Sequence, residues 1–563
     1  MQRSRFIAVF AFAILVFGLG LTARLSAAGE FVRGDVDRNG QVEISDSIAI
    51  FGALFLGGAE PGCLDAADAN DSGRVNIADG IYILNFLFRG ERAPPSPYPV
   101  PGADPTNDLL DCGHGMNKIR RWNHIAIDAS GLDHTPVKPG EDRTALEQPG
   151  PGRSSRAMAI VHIAMFEAVN AIAGGYKSYV GLDPAPEGAS MDAAVCQSGH
   201  DTLVALFPSQ ASSFDELLAE DLALLEESAA KTDGVEVGRR AAAGILDNRA
   251  ADGSQHDEPK VNIDYIPSNE PGKWRQDPIS KHPLALGAYW GQVKPFVLET
   301  SSQFRTPPPP ALDSPEYATA YEEVKRLGGD GITTPTERTP AQTDVGIYWA
   351  YDGTPSLCAP PRLYNQITVH IADLKGTDMV ELARLLALVN VAMADAGIAI
   401  WESKYYYAFW RPITGIREAD AGTGPTGQGD GNPATTGDPS YSPLGAPASN
   451  LTGPNFTPPF PAYPSGHAGF GGAVFETLRN FYGTDDIAFE FMSDEMNGVT
   501  RDREGSVRSM TMGQFAHLSE AEEANGQSRI YLGIHWSFDK TEGITQGRHV
   551  ADYLFERLFT PLP

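Results

Sequence analysis

The stretch MVELARLLALVNVAMADAGIAIW, Met379 to Trp401, decides the fold class. Its apolar residues recur at three- and four-residue intervals and it is rich in alanine, which is the pattern of a long helix. Arg156 to Ala171 repeats the periodicity through Met158, Val161, Met165 and Val169. Proline and glycine clusters break such runs at Thr306 to Pro310 and across Gly422 to Thr457. Nothing alternates as a βαβ chain would, so residues 117–563 are expected to form a mainly α domain.

Chemistry-bearing residues begin where that helix pattern ends. Trp401-Glu-Ser-Lys404-Tyr-Tyr-Tyr-Ala-Phe-Trp-Arg411-Pro412 sets Lys404 and Arg411 seven apart, a spacing that predicts two turns along one helix face. Phe460-Pro-Ala-Tyr-Pro464-Ser465-Gly466-His467 runs into small residues, Ala468 to Ala473, and reads as a tight turn feeding a helix N-terminus. The free amides of such a turn, with a serine hydroxyl, suit a tetrahedral oxyanion. The third segment is Ser528-Arg529-Ile-Tyr-Leu-Gly533-Ile-His535. Each segment alone is unremarkable, since a cationic pair on a helix is ordinarily a solvated edge and a lone histidine ordinarily packs or sits at the surface.

Together, in this order and spacing, the three segments resemble the signature shared by vanadium haloperoxidases and type 2 phosphatidic acid phosphatases. Both groups bind tetrahedral oxyanions. The resemblance implies a helical-bundle catalytic domain in which Lys404, Arg411 and Arg529 neutralise vanadate oxygens while Ser465 and Gly466 complete the hydrogen bonds. It also implies His535 as the vanadium ligand, or as the nucleophile of a phosphatase, and His467 as the acid-base group. The catalytic residues are then His467, Lys404 and His535.

Residues outside the shared signature favour one branch. Tyr348 to Gly353, Pro360 to Gln366, Asp395-Ala-Gly397 and Pro458 to Tyr463 are similar to the chloroperoxidase branch of the haloperoxidases. That likeness implies Asp352 paired with Arg529, and Trp401 and Phe460 walling the halide side. The implied activity is oxidation of halide by hydrogen peroxide to hypohalous acid, with vanadate as cofactor and an organic acceptor that the sequence does not name. A vanadate-free acid phosphatase on the same oxyanion-binding scaffold is the alternative.

Ahead of this domain lies a repeat with an offset of 33 residues. Asp35, Asp37, Asn39, Gln41, Glu43 and Asp46 align with Asp68, Asn70, Ser72, Arg74, Asn76 and Asp79, with Gly40 and Gly73 at the sharp turn. Oxygen-bearing side chains at loop positions 1, 3, 5, 9 and 12 around such a glycine are a calcium-loop pattern. Each loop feeds one apolar helix, Ile48 to Leu56 and Ile81 to Phe88, and an Asp closes each loop in place of Glu. The pair resembles a dockerin type I module, which implies two calcium sites over residues 29–92 and a cohesin-like protein partner.

The first 28 residues carry Arg3 and Arg5, an apolar run from Phe6 to Leu21, and small residues up to Ala28. They read as a secretory signal, with an uncleaved anchor as the other reading, and place the protein outside the cell or in the periplasm. No later stretch reads as long and apolar enough to span a bilayer. In an oxidising compartment Cys63 and Cys112, which bracket the repeat module, are the expected disulfide. Residues 93–116 are proline-rich and read as a semi-rigid linker. With 72 Asp and Glu against 43 Lys and Arg, a net charge of −29 excludes a nucleic-acid binder and docking on anionic lipid. It also means that an anion site must build its own local positive potential.

Overall fold

The computed structural model describes residues 31–55, 61, 63–73, 75–106, 110 and 117–562. The expected signal segment, Cys112 and Arg74 lie outside the described residues. The chain is mainly helical, and two short antiparallel strands, Phe489–Met492 and Met512–Phe515, are its only sheet among the described residues.

The repeat module packs helices Ile44–Phe55 and Ile77–Arg89 around Val36, Ile50, Ala67, Ala69 and Ile83, with a short helix, Leu64–Ala67, between them. Asn76 caps the second of these helices through a reciprocal capping box with Asp79. Cys63 is disulfide-bonded. The proline-rich stretch lies against this module. Phe31 pairs with Gly102, the Arg33 amide donates to Pro97 O at 2.7 Å, and Arg33 Nε donates to Ser96 O at 3.0 Å. The buried Arg33 guanidinium pairs with Asp71 at 2.9 Å and also with Asp104.

In the large domain the helix Met379–Tyr407 is buried from Leu382 to Trp401 and runs through the main core. Helices Gly150–Ala173, Gly466–Tyr482 and Ser537–Phe555 pack around it. Two of these, Gly150–Ala173 and Met379–Tyr407, are long and apolar enough to cross a membrane, which corrects the expectation that no later stretch would be. Most of their apolar length is buried inside the domain, because a helix surrounded by other helices shows no polar face. Asp395 accepts the amides of Phe296, Val297 and Leu298, which fastens a loop to the central helix.

The helices Gly466–Tyr482 and Ser537–Phe555 meet along a glycine seam. A Cβ at Gly547 would lie 2.0 Å from Gly469 O, one at Gly472 would lie 2.5 Å from Ile544 O, and one at Gly543 would lie 2.6 Å from Ser465 O. Only glycine lets the two backbones approach this closely. The small residues after His467 are thus explained by helix packing as well as by the turn. The seam fixes the N-terminal ends of the two helices side by side, with Ser465 at one and His535 just ahead of the other.

Candidate active site

Lys404 and Arg411 are not on one helix face, contrary to the reading of their spacing. The helix ends at Tyr407, Ala408 turns left-handed at φ 49°, and Arg411 stands just before the proline that opens Pro412–Arg417. The break brings Arg411 toward His535 while Lys404 stays in the last turn. Arg411 Nη1 lies 2.9 Å from His535 Nε2 and donates to Ile534 O at 2.8 Å, and Arg411 Nε donates to Phe460 O at 2.9 Å.

The Lys404 ammonium is fully buried, and its three donors go to Pro461 O, Ala462 O and Pro464 O at 2.9, 3.0 and 2.5 Å. It therefore fastens the loop that leads into Ser465. Ser465 is the N-cap of its helix, and its own amide donates to Asp539 O at 2.9 Å. Gly466 opens that helix beneath the Trp401 ring, where a Cβ would come within 3.2 Å of the indole.

Arg529 Nη2 donates to Asp352 Oδ1 at 2.7 Å, the pairing that the chloroperoxidase-like segments imply. His467 Nε2 donates to Ala350 O and stands 3.9 Å from the same Asp352 oxygen. The His467 carbonyl is held from behind by Tyr364 Oη and Asn525 Nδ2, each at 3.0 Å. Trp401 and Phe460 lie with ring centroids 4.9 Å apart, and Trp401 Nε1 donates to Leu286 O.

Sequence reasoning missed Asp539. Its Oδ2 sits 2.8 Å from His535 Nδ1 and accepts the Trp536 amide at 3.0 Å, so the imidazole proton is on Nδ1 and the lone pair on Nε2. The signal was present as an acid four residues beyond a histidine, but that spacing is common on any helix. Tyr364 and Asn525 had no such signal, because they act through a backbone carbonyl.

The electrostatics are those of a site made for an anion. Burial, helped by Arg411 and then Lys404, holds the His535 imidazole well below its usual range. Burial, with Arg529 adding to it, pushes His467 down to about 3. Lys404 is held well below the usual ammonium range by burial and then by Arg411, and burial brings Arg411 down to about 9. Burial raises Asp539 to about 7. Arg411 Nη2 and Arg529 Nε and Nη1 are buried N–H groups with no hydrogen-bond partner. Unmet guanidinium donors among mutually repelling cations are the complement of an oxyanion, so the residues present fit vanadate.

Gly466, His467, Arg529 and His535 form the buried end of a cavity of about 430 Å³, together with Asp352, Trp401 and Phe460. Lys404, Arg411 and Ser465 do not line that cavity. In the repeat module, Asp35 takes the amides of Asn39 and Gly40, while Asp46 takes those of Val36, Asp37 and Glu43. Oxygens of Asp35, Asp37 and Asp46 lie within 4.8 Å of one another. Asn39 and Glu43 point at each other, Nδ2 to Oε1, at 3.2 Å, and Gln41 donates its amide to Asn39 Oδ1. In the second loop Asp68 takes the amides of Ser72 and Gly73, and Asp79 takes those of Asn70 and Asn76.

The chain matches the model of the second helical-bundle domain of VCPO over residues 384–562. It is 31% identical over 525 residues to the vanadium chloroperoxidase of Curvularia inaequalis, covering 79% of this chain and 81% of that one. Among solved structures, the first bacterial vanadium-dependent iodoperoxidase aligns with a TM-score of 0.60 and 22% identity, over 78% of this chain and 97% of that one. The apo-type bacterial vanadium-dependent chloroperoxidase aligns at 0.55 with 14% identity, over 73% of this chain and 94% of that one. These two likenesses speak to the fold.

Proposed function

This chain belongs to the vanadium haloperoxidase family, and from that premise we propose that its buried cationic cradle holds vanadate and oxidises halide with hydrogen peroxide to hypohalous acid. The observation that carries the reading is the set of buried, unpartnered N–H groups on Arg411 and Arg529, with Arg529 at the buried end of the cavity and Arg411 Nη1 2.9 Å from His535 Nε2.

Arg411 and Arg529 would hold vanadate oxygens through their unmet N–H groups, with Ser465 and Gly466 beside them at the helix N-terminus, and His535 Nε2 would be the ligand to vanadium. Lys404 would join them by giving up one of the three carbonyls it now binds. When bound, vanadate supplies a Lewis acid that activates hydrogen peroxide toward halide. Asp539 keeps the His535 proton on Nδ1 and so keeps Nε2 basic. With its Nε2–H given to Ala350 O, His467 offers Nδ1 as the atom that takes and returns a proton, and burial keeps the ring neutral for that task. Asp352 holds Arg529 in place beside it. Trp401 and Phe460, packed against each other on the cavity wall, would be the apolar side on which halide approaches.

Orthovanadate titrated into the full chain tests the reading, with bound vanadium and peroxide-dependent bromide oxidation measured together. Phosphomonoester turnover without halide oxidation would select the acid phosphatase instead, since the same cradle accepts phosphate.

The two acidic loops are proposed calcium sites, supported in the first by the gathered oxygens of Asp35, Asp37 and Asp46. Ile44 and Ile48 of the first repeat and Ile77 and Ile81 of the second are exposed at equivalent positions, which supports a cohesin-like protein partner for the module. Export through the secretory pathway follows from the reading of residues 1–28, and N-terminal sequencing of the mature protein tests it.

A further inference from the structure

The cavity above the cradle is far larger than its inorganic substrates need. Its volume is about 430 Å³, whereas a water molecule occupies roughly 30 Å³ of liquid and a halide or a peroxide is of that order. A volume of this size is typical of sites that enclose an organic ligand.

The chemistry of the wall narrows the occupant. Asp352 and Arg529 are the only carboxylate and guanidinium on it among the described residues, and they pair with each other at 2.7 Å. Between the buried floor and the mouth the wall is made mainly of Leu, Pro and aromatic side chains, among them Leu286, Phe456 and Phe470. Leu146, Thr452 and Pro454 are exposed and mark the mouth. Apart from the imidazoles of His134 and His282, an ionised ligand would find no ionisable side chain between the floor and the mouth, and it would lose hydration on entering. The floor, where oxidised halogen would form, is therefore reached through a largely apolar chamber.

We propose that this chamber binds the organic acceptor, that the acceptor is a neutral, electron-rich aromatic of one or two rings, and that halogenation takes place inside it. The proposal rests on the haloperoxidase reading. Hydrogen peroxide, halide and one proton give hypohalous acid and water. A ring carbon then takes the halogen as the oxygen–halogen bond breaks, its electron pair staying on oxygen, and the displaced ring proton joins that hydroxide as a second water. Enclosure would orient the ring, so the position of substitution would be set by the protein.

The test uses 1-naphthol as the probe. Its binding to the full chain is followed by its fluorescence without peroxide, and its bromination by the vanadate-loaded protein is followed by the ratio of 4-bromo to 2-bromo product. The parent should bind the probe saturably and give an isomer ratio differing about threefold or more from that of reagent hypobromous acid. Thr452→Trp, which places an indole in the mouth, should weaken probe binding about tenfold and return the ratio toward the reagent value. Leu146→Trp serves the same purpose should the first variant fail to fold. The isomer ratio does not depend on how fast bromide is oxidised, so slower turnover in a variant leaves it readable. Bromide oxidation with a reagent-like isomer ratio in the parent, or no saturable probe binding, overturns the chamber and leaves the haloperoxidase reading standing. No bromide oxidation at all overturns that reading, and the proposal with it.

Discussion

Asp539 Oδ2 stands 2.8 Å from His535 Nδ1, reaching back from the first turn of the following helix, and together with Arg411 Nη1, 2.9 Å from Nε2, it fixes the imidazole proton on Nδ1. Asp539→Ala should weaken vanadate binding about 10–100-fold, the usual cost of losing a partner behind a ligand. Asp539→Asn should recover part of the loss, because its amide oxygen can still accept from Nδ1–H. Equilibrium binding of vanadate to both variants measures this, and parent-like affinity in Asp539→Ala would refute the role.

His535→Ala and Lys404→Met should separate in a second way. The histidine variant loses the proposed vanadium ligand, and with it both vanadate binding and halide oxidation. The lysine variant should bind vanadate more weakly and also melt at lower temperature. Three carbonyls of the Pro461–Pro464 loop would lose their donor, at a cost on the order of 1–3 kcal/mol. An unchanged melting temperature in Lys404→Met would show that the loop stands without it.

Chloride should be oxidised at mildly acid pH, with Phe460 as the residue to test. Its ring centroid lies 5.2 Å from Lys404 Nζ and 5.0 Å from the Arg411 guanidinium carbon, so it shields both cations with an apolar face. Phe460→His should lower chloride oxidation relative to bromide by about an order of magnitude, as a polar ring competes for those cations. Halide competition assays read the ratio directly, and an unchanged ratio removes Phe460 from halide selection.

Calcium removal by a chelator should expose residues 35–79 to proteolysis while halide oxidation persists, since their core is the small cluster around Ile50 and Ile83. Loss of oxidation in step with calcium would show that the module and the large domain are one cooperative unit.

His162 gives a pH prediction away from the cradle. It is buried in the helix Gly150–Ala173 with Nδ1 2.8 Å from Met158 O, and burial pushes it down to about 4. Between that value and the ordinary imidazole range the unfolded chain takes a proton that the folded chain refuses. Stability should therefore fall as pH drops through this window, by up to about 1.4 kcal/mol per pH unit for one such group. His162→Gln should flatten the acid side of a melting-temperature profile. His370, also pushed down to about 4 by burial, should preserve a residual slope.

The groups that carry chemistry were legible because oxyanion binding demands particular residue types at fixed offsets: Lys404 before Arg411, Ser465-Gly466-His467, and Arg529 before His535. The central helices were legible from periodicity. What the sequence hid is what depends on tertiary placement. Ala408 carries no mark of the left-handed turn that takes Arg411 off the helix. Lys404 gave no sign that carbonyl groups would occupy its donors, and the paired strands at Phe489 and Phe515 are too short to show an alternating pattern. The proline-rich residues read as an extended linker, but Arg33 binds them back onto the module through contacts more than sixty positions away.

The glycine seam has a consequence for altering this protein by design. A methyl group at Gly547 would collide with the neighbouring backbone and lever Ser465 away from His535, although neither residue had been touched. Libraries aimed at new halides or new acceptors should therefore draw their diversity from the chamber walls and mouth, and leave the seam fixed, because a single added carbon there undoes the alignment that every wall variant would rely on.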